Sequence, residues 1–237
     1  MANASLAVAE AALRARKLDR TLTTSPPSAV RPSVAATDIA RLDDCLHGGL
    51  PRGQLSEVVG CQSSGRTAAT FGILAAATRR GEIVALVDTF DRLDVASAAS
   101  GGIDLDRLLW IRGEASSLFD RVIERGLKAL NLVLQAGGFG IVVLDLADAP
   151  VQALNRIPFT TWLRIQRTIE GSETACLLLA PRAIARSAGG LTLMLDGRPE
   201  WEGNAERSRR LAGLEIGVRV VSPRLQVDGE VACSARL

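Results

Sequence analysis

Apolar residues along this chain change their period from one region to the next, and each period predicts a different kind of element. Between residues 4 and 18, Leu6, Ala9, Leu13 and Leu18 recur at roughly helical spacing, with Arg14, Arg16 and Lys17 interleaved, which predicts an amphipathic helix. Residues 24–34 (T-S-P-P-S-A-V-R-P-S-V) hold three prolines and read as a linker or extended arm. Short apolar runs then alternate with helix-period segments. Strands are expected at 54–59, 83–88 (I-V-A-L-V-D), 108–111, 141–145 (I-V-V-L-D) and 176–179, and helices at 67–80, 95–101, 117–135 and 158–169. Strands that are apolar on both faces need cover on both, so the pattern predicts an α/β fold with a mostly parallel, doubly wound sheet flanked by helices. Beyond residue 191 the pattern becomes short alternating strands at 191–195, 214–221 and 224–227. The expected organisation is an N-terminal helix over 1–24, a Pro-rich linker over 25–36 and a core over 37–237.

Composition narrows the classes. The chain has 237 residues, 47% of them apolar, enough for one sizeable core. Net charge is only +2, so no global basicity points to nucleic acid. Of its 28 basic residues 26 are arginine, with only Lys17 and Lys128 as lysine, a bias that a GC-rich genome explains. Cys45, Cys61, Cys176 and Cys233 lack C-x-x-C spacing and read as buried, reduced thiols of a cytoplasmic protein, not as a zinc site. No apolar run reaches membrane-spanning length. One histidine, no tyrosine and five phenylalanines leave little for acid–base chemistry or base stacking.

The chemistry-bearing motif is G-C-Q-S-S-G-R-T, from Gly60 to Thr67. It fits the phosphate-binding loop pattern G-x-x-x-x-G-K-[ST] at every position except Arg66, which stands in the place of lysine. Gly60, Ser63, Ser64, Gly65, Arg66 and Thr67 are the candidate phosphate-binding residues, with Asp145 at the end of I-V-V-L-D beside them. In such a loop the backbone N–H groups cradle phosphates and the lysine reaches the terminal ones. A guanidinium is planar and directional and does not simply replace a point charge. Thr67 and Asp145 suit a Mg²⁺-nucleotide ligand set, but suit a helix N-cap and a strand-end cap better.

These motifs carry a family resemblance. G-G-L-P-R-G-Q-L-S-E-V-V-G-C-Q-S-S-G-R-T resembles the entrance of the RecA-type recombinase core. V-D-T-F-D-R-L-D (87–94), G-I-D-L-D-R-L-L-W (102–110), I-V-V-L-D and R-S-A-G-G-L-T-L (186–193) resemble later segments of it, over residues 38–221 in all. The resemblance implies a RecA-like, P-loop-NTPase-type sheet. It also implies losses. The glutamate that orients the attacking water in RecA proteins falls on Phe90, with Asp91 next to it. The γ-phosphate-sensing glutamine has no counterpart in L-A-P-R (179–182).

With its N-terminal helix, Pro-rich arm and lost ATPase positions, the chain is similar to the ImuA family, accessory proteins of SOS-induced bacterial translesion synthesis. That resemblance implies a cytoplasmic, partner-binding role. RecA, a Y-family-like polymerase homologue and an error-prone replicative-type polymerase are the implied partners, with ATP and Mg²⁺ binding weak or lost. The other function left open is a slow ATP-dependent, DNA-binding RecA paralogue in which Arg66 replaces the lysine and Asp91 the base. Arg182 and Arg186 flank a loop where RecA proteins contact DNA, and read either as weak DNA contacts or as solvated surface. The N-terminal helix suits docking on a RecA-type neighbour, pairing with its own copy or folding back.

Overall fold

The computed structural model describes residues 33–114, 118–185, 190–203, 209–221 and 230–235. The predicted helix at 4–18, the arm up to residue 32, Arg186 and the predicted strand at 224–227 lie outside them.

The core begins earlier than expected. Strand β1 (Val34–Ala35) pairs antiparallel with β2 (Leu50–Pro51), so Ser33 to Ala36 belong to the core and not to the linker. Between them the six-residue helix α1 (Ala40–Cys45) was not foreseen, being too short to show a period. It is held by Asp43, whose carboxylate accepts from the Thr37 N–H (2.8 Å), the Thr37 hydroxyl (2.8 Å) and the Asp38 N–H (3.0 Å).

The remaining elements follow as strand β3 (Leu55–Gly60), helix α2 (Arg66–Arg79), β4 (Val84–Asp88), α3 (Val95–Ser100) and β5 (Leu108–Arg112). Helix α4 (Phe119–Ala136), β6 (Ile141–Asp145), α5 (Val151–Leu154), α6 (Phe159–Ile169) and β7 (Ala175–Ala180) come next, then β8 (Thr192–Glu202), β9 (Arg210–Val221) and β10 (Glu230–Ala235). One eight-stranded sheet orders them β10-β9-β8-β3-β7-β6-β4-β5. Every pair from β8 to β5 is parallel, while β8–β9 and β9–β10 are antiparallel. The mostly parallel, helix-flanked fold expected from the sequence is therefore present.

Successive residues of a strand face opposite sides, and the two sides here feed two cores. Val84, Leu86, Ile141, Val143 and Leu177 pack with Ile73, Leu74 and Ala77 of α2. Ala85, Val87, Val142, Leu144 and Leu178 pack with Leu130 of α4 and with Trp162 and Ile165 of α6. The opposite end of the sheet is pinned by Arg52. Its guanidinium bonds the carbonyls of Glu173 (2.6 Å) and Gly140 (3.3 Å) and the carboxylate of Glu82 (2.7 Å), joining the entrances of β3, β4, β6 and β7.

The last strands correct the sequence reading. Where short strands were expected, β8 and β9 form a hairpin paired from Thr192↔Val221 to Glu202↔Arg210, with a register shift at Glu200–Trp201. Gly197-Arg198-Pro199 breaks the apolar alternation without ending the strand, since a proline is tolerated beside a bulge. The thiols also differ. Cys176 is buried, Cys45 half-buried and Cys61 exposed on the loop. Burial pushes the Cys176 thiol up to about 12.

Candidate functional site

The loop leaving β3 enters α2 through Gly65, whose φ of 89° is left-handed. A side chain there would be strained, and its Cβ would lie 2.5 Å from Ile216 Cδ1 on β9. Gly197 on β8 approaches as closely, since a Cβ on it would sit 2.7 Å from the Ser63 carbonyl oxygen. The hairpin is thus seated directly on the phosphate-type loop. Gly60 ends β3, Ser63 and Thr67 are exposed, and Ser64 is buried with a hydroxyl that has no partner.

A crevice of about 1170 Å³ opens at the carboxyl ends of the parallel strands, where ligand loops gather in such sheets. Ser63, Ser64, Gly65, Arg66 and Thr67 line one wall, Asp88, Phe90, Arg92, Asp145 and Asp148 another, and Pro199, Trp201 and Leu214 of the hairpin a third. Strand β7 lies between β3 and β6, so loop and Asp145 are about two strand spacings, roughly 10 Å, apart across the sheet.

Asp88 and Asp145 are register partners on β4 and β6, yet their roles differ. Asp88 is 1% exposed. It accepts from the N–H groups of Arg92 (2.8 Å) and Leu93 (2.8 Å) and from Trp110 Nε1 (3.2 Å), anchoring the loop after β4. Among the described residues Asp145 accepts from the Ala147 N–H alone, at 2.8 Å. Burial pushes its carboxyl up to about 6, with Asp88 and Asp148 adding to the rise against the Ala147 hydrogen bond and the Arg66 charge.

Arg66 does not pair with either carboxylate, contrary to the simplest expectation for a guanidinium in an acidic crevice. It is 9% exposed, and its Nη1 reaches across to the Ala147 carbonyl at 3.5 Å.

The expected replacements for the lost catalytic groups are also placed. Phe90 is turned inward at 6% exposure and packs on Phe119 with ring centroids 6.1 Å apart. Asp91 is held away by Arg112, whose Nε and Nη2 donate to its two carboxylate oxygens at 2.9 and 2.8 Å. That bond keeps the Asp91 carboxyl below the usual carboxylate range, and Arg112 is itself stacked 4.6 Å over Trp110.

Residues 28–155 match the family model described as the RecA N-terminal domain. The chain belongs to that family. Relatives include Protein RecA of Ectopseudomonas oleovorans, 27% identical over 201 residues, covering 78% of this chain and 54% of that protein. Protein RecA of Synechococcus elongatus is 34% identical over 122 residues, covering 52% of this chain and 32% of that protein. The chain therefore spans about half the length, or less, of the curated relatives it matches. A crystal structure of the RadB recombinase superposes with a TM-score of 0.57 at 20% identity, over 86% of this chain and 96% of that one, which shows the shared fold.

A RecA-type core implies a Mg²⁺-nucleoside triphosphate, and only part of this site fits one. The glycine-bound loop, the unpartnered Ser64 hydroxyl and the exposed Thr67 fit a phosphate chain. The buried guanidinium spanning from the loop toward β6 does not fit a divalent cation shared between Thr67 and Asp145. Among the described residues no cluster of three or more His, Cys, Asp or Glu side chains could hold a metal, and no helix is long and apolar enough to cross a membrane.

Arg182 bonds the Asn155 side chain and does not line the crevice. Sequence reasoning missed three participants: Trp201 at the rim, 52% exposed; the Arg92–Asp148 ion pair at 2.9 Å; and Glu57. Glu57 is fully buried in β3 and accepts from the Ile184 N–H (2.7 Å), the Ala185 N–H (2.8 Å) and the Thr192 hydroxyl (3.2 Å), tying the segment after β7 to the strand entering the loop. A charged residue in a short, otherwise uncharged strand was the available signal.

Proposed function

We propose that this chain is a non-catalytic RecA-like accessory protein of SOS-induced translesion DNA synthesis, akin to the ImuA family. It acts in the cytoplasm by binding RecA and the mutagenic polymerase complex, a Y-family-like polymerase homologue with an error-prone replicative-type polymerase. The observation that carries this reading is the state of the phosphate site. Arg66 stands for the lysine and is held by a backbone carbonyl, Phe90 stands for the glutamate and is part of the core, and Asp91 is consumed by Arg112. Phosphoryl transfer depends on positioned charge and a placed base, and losing a base alone removes roughly a hundredfold to ten-thousandfold in rate. A core with RecA architecture and no ATP cycle retains a RecA-type surface without the turnover that would release it.

Capture of RecA on immobilised protein tests the role, using the full chain and residues 33–237. The cut falls before Ser33 because β1 is part of the core. The shortened chain is expected to stay folded, since every strand of its sheet lies later, and to hold RecA at least about tenfold more weakly, a difference of about 1.4 kcal/mol. If the full chain captures no RecA, the proposed role is wrong. Equal capture by both would move the interface from the N-terminal segment to the core.

A further inference from the structure

Helices α4 and α6 cover the sheet on the side opposite α2, and a groove of about 1140 Å³ runs between them. It shares no lining residue with the crevice at the strand ends. On α4 it is lined by Asp120, Glu124, Lys128 and Leu132, four apart in sequence, so they form one stripe along the helix. From Asp120 to Gln135 the stripe runs about 22 Å at 1.5 Å per residue, the length of a four-turn helix. The floor is aliphatic, built by Ile123, Leu127, Ile157 and Ile165. Leu132 projects from the α4 wall at 66% exposure, the most exposed large apolar side chain among the described residues. A long apolar channel with a projecting leucine suits the apolar face of a partner helix.

Charge narrows the occupant. Both acidic residues of the groove are already matched, Glu124 by Lys128 at 2.8 Å and Asp120 by Arg156 at 2.7 Å. Arg164 and Arg167 stand exposed on the α6 wall, and among the described residues neither guanidinium has a hydrogen bond or an ion pair. The groove therefore carries a surplus of positive charge along one side, and complementary charge is what selects a partner there. Nucleic acid fits poorly, because the aliphatic floor offers no ring for a base to stack on. Residues 1–24 of this chain hold Arg14, Arg16, Lys17 and Arg20 against Glu10 and Asp19, so they bring the same sign as the groove.

We propose that the α4–α6 groove is a docking site for a helical segment of a partner protein that has an apolar face and acidic flanks. Leu132 packs against the apolar face, and Arg164 and Arg167 pair with the flanking carboxylates. The site stands or falls independently of RecA capture and of the phosphate-type loop.

Fluorescence anisotropy of the full chain with labelled, helix-stapled peptides tests it. One peptide carries leucines at i, i+3, i+4 and i+7 with glutamates beside them. A second has lysines in place of the glutamates, and a third is residues 1–24 of this chain. The acidic peptide is expected to bind with a dissociation constant of about 100 μM or below, at least about tenfold more tightly than the lysine peptide. Its binding should weaken severalfold between about 0.05 and 0.5 M salt. Leu132→Ala, and Arg164→Glu combined with Arg167→Glu, should each lose about tenfold or more. These side chains are exposed, so the variants are expected to fold, which a thermal melt verifies. Arg198→Glu, a charge reversal on the β8–β9 hairpin outside the groove, should leave binding within about twofold. No anisotropy change with the acidic peptide at millimolar concentration overturns the proposal, as does equal binding of the lysine peptide or of residues 1–24, or full binding by the groove variants. Displacement of the acidic peptide by single-stranded DNA would assign the groove to nucleic acid instead. A concentration-dependent dimer that Leu132→Ala dissolves would assign it to a second copy, and either result contradicts the proposal.

Discussion

Replacing Glu57 by alanine is expected to destabilise the fold by about 3 kcal/mol. The side chain is fully buried, and its two oxygens satisfy two backbone N–H groups and a hydroxyl. Removing them takes the carboxylate acceptor from the buried Ala185 N–H and the part-buried Ile184 N–H, each costing roughly 1–3 kcal/mol. Release of the carboxylate from its low-dielectric site offsets part of that sum. Glutamine is the informative control. Its carbonyl oxygen can still accept from Ile184 and Ala185, and the Thr192 hydroxyl can turn to accept from the new amide, so Glu57→Gln should cost only about 1 kcal/mol. Urea unfolding midpoints give both values. Hydrogen exchange should show Ile184 and Ala185 losing protection before the rest of the sheet. A Glu57→Ala chain as stable as wild type would mean the clamp contributes nothing.

Asp145→Asn is expected to act in the opposite direction, stabilising the protein at alkaline pH. The folded carboxyl titrates at about 6 against 3.8 for an unperturbed aspartate, so the folded state holds its proton more tightly than the unfolded state. The stability this contributes is complete below pH 3.8 and is lost as pH rises through about 6. A rise of that size corresponds to about 3 kcal/mol. Asparagine keeps the oxygen that accepts from the Ala147 N–H and removes the charge facing Asp88 and Asp148. The variant should therefore gain about 2–3 kcal/mol at about pH 8 and roughly half that at about pH 5. A gain that does not change with pH, or a loss, would contradict the placement of this carboxylate among buried and acidic neighbours. Such a destabilising anion at the floor of a crevice is the kind of strain a functional site retains.

Much of this was legible in the residues because the central strands are apolar on both faces. I-V-V-L-D and I-V-A-L-V-D admit no simpler burial than a two-sided core, and β4 and β6 lie within a residue of where the pattern put them. The loop was legible because its glycines serve backbone geometry that few sequences imitate. The rest depended on groups distant in sequence. Arg66 meets a carbonyl 81 residues away, and no spacing rule could have chosen Ala147 over Asp145. Asp91 is claimed by Arg112 only because β4 and β5 pair in the register Asp88↔Arg112. Trp201 reaches the crevice because the β8–β9 hairpin continues through Pro199, against the local pattern. The chemistry was thus visible as residue types, while their availability was decided by packing.

Steady-state hydrolysis of Mg²⁺-ATP by the full chain, with and without single-stranded DNA, tests most directly whether this RecA-family core has left the ATP cycle. The expected result is no turnover above a protein-free blank, and none restored by Arg66→Lys, because Phe90 still occupies the position of the base. Hydrolysis by the wild-type chain that Arg66→Ala abolishes would contradict the non-catalytic reading.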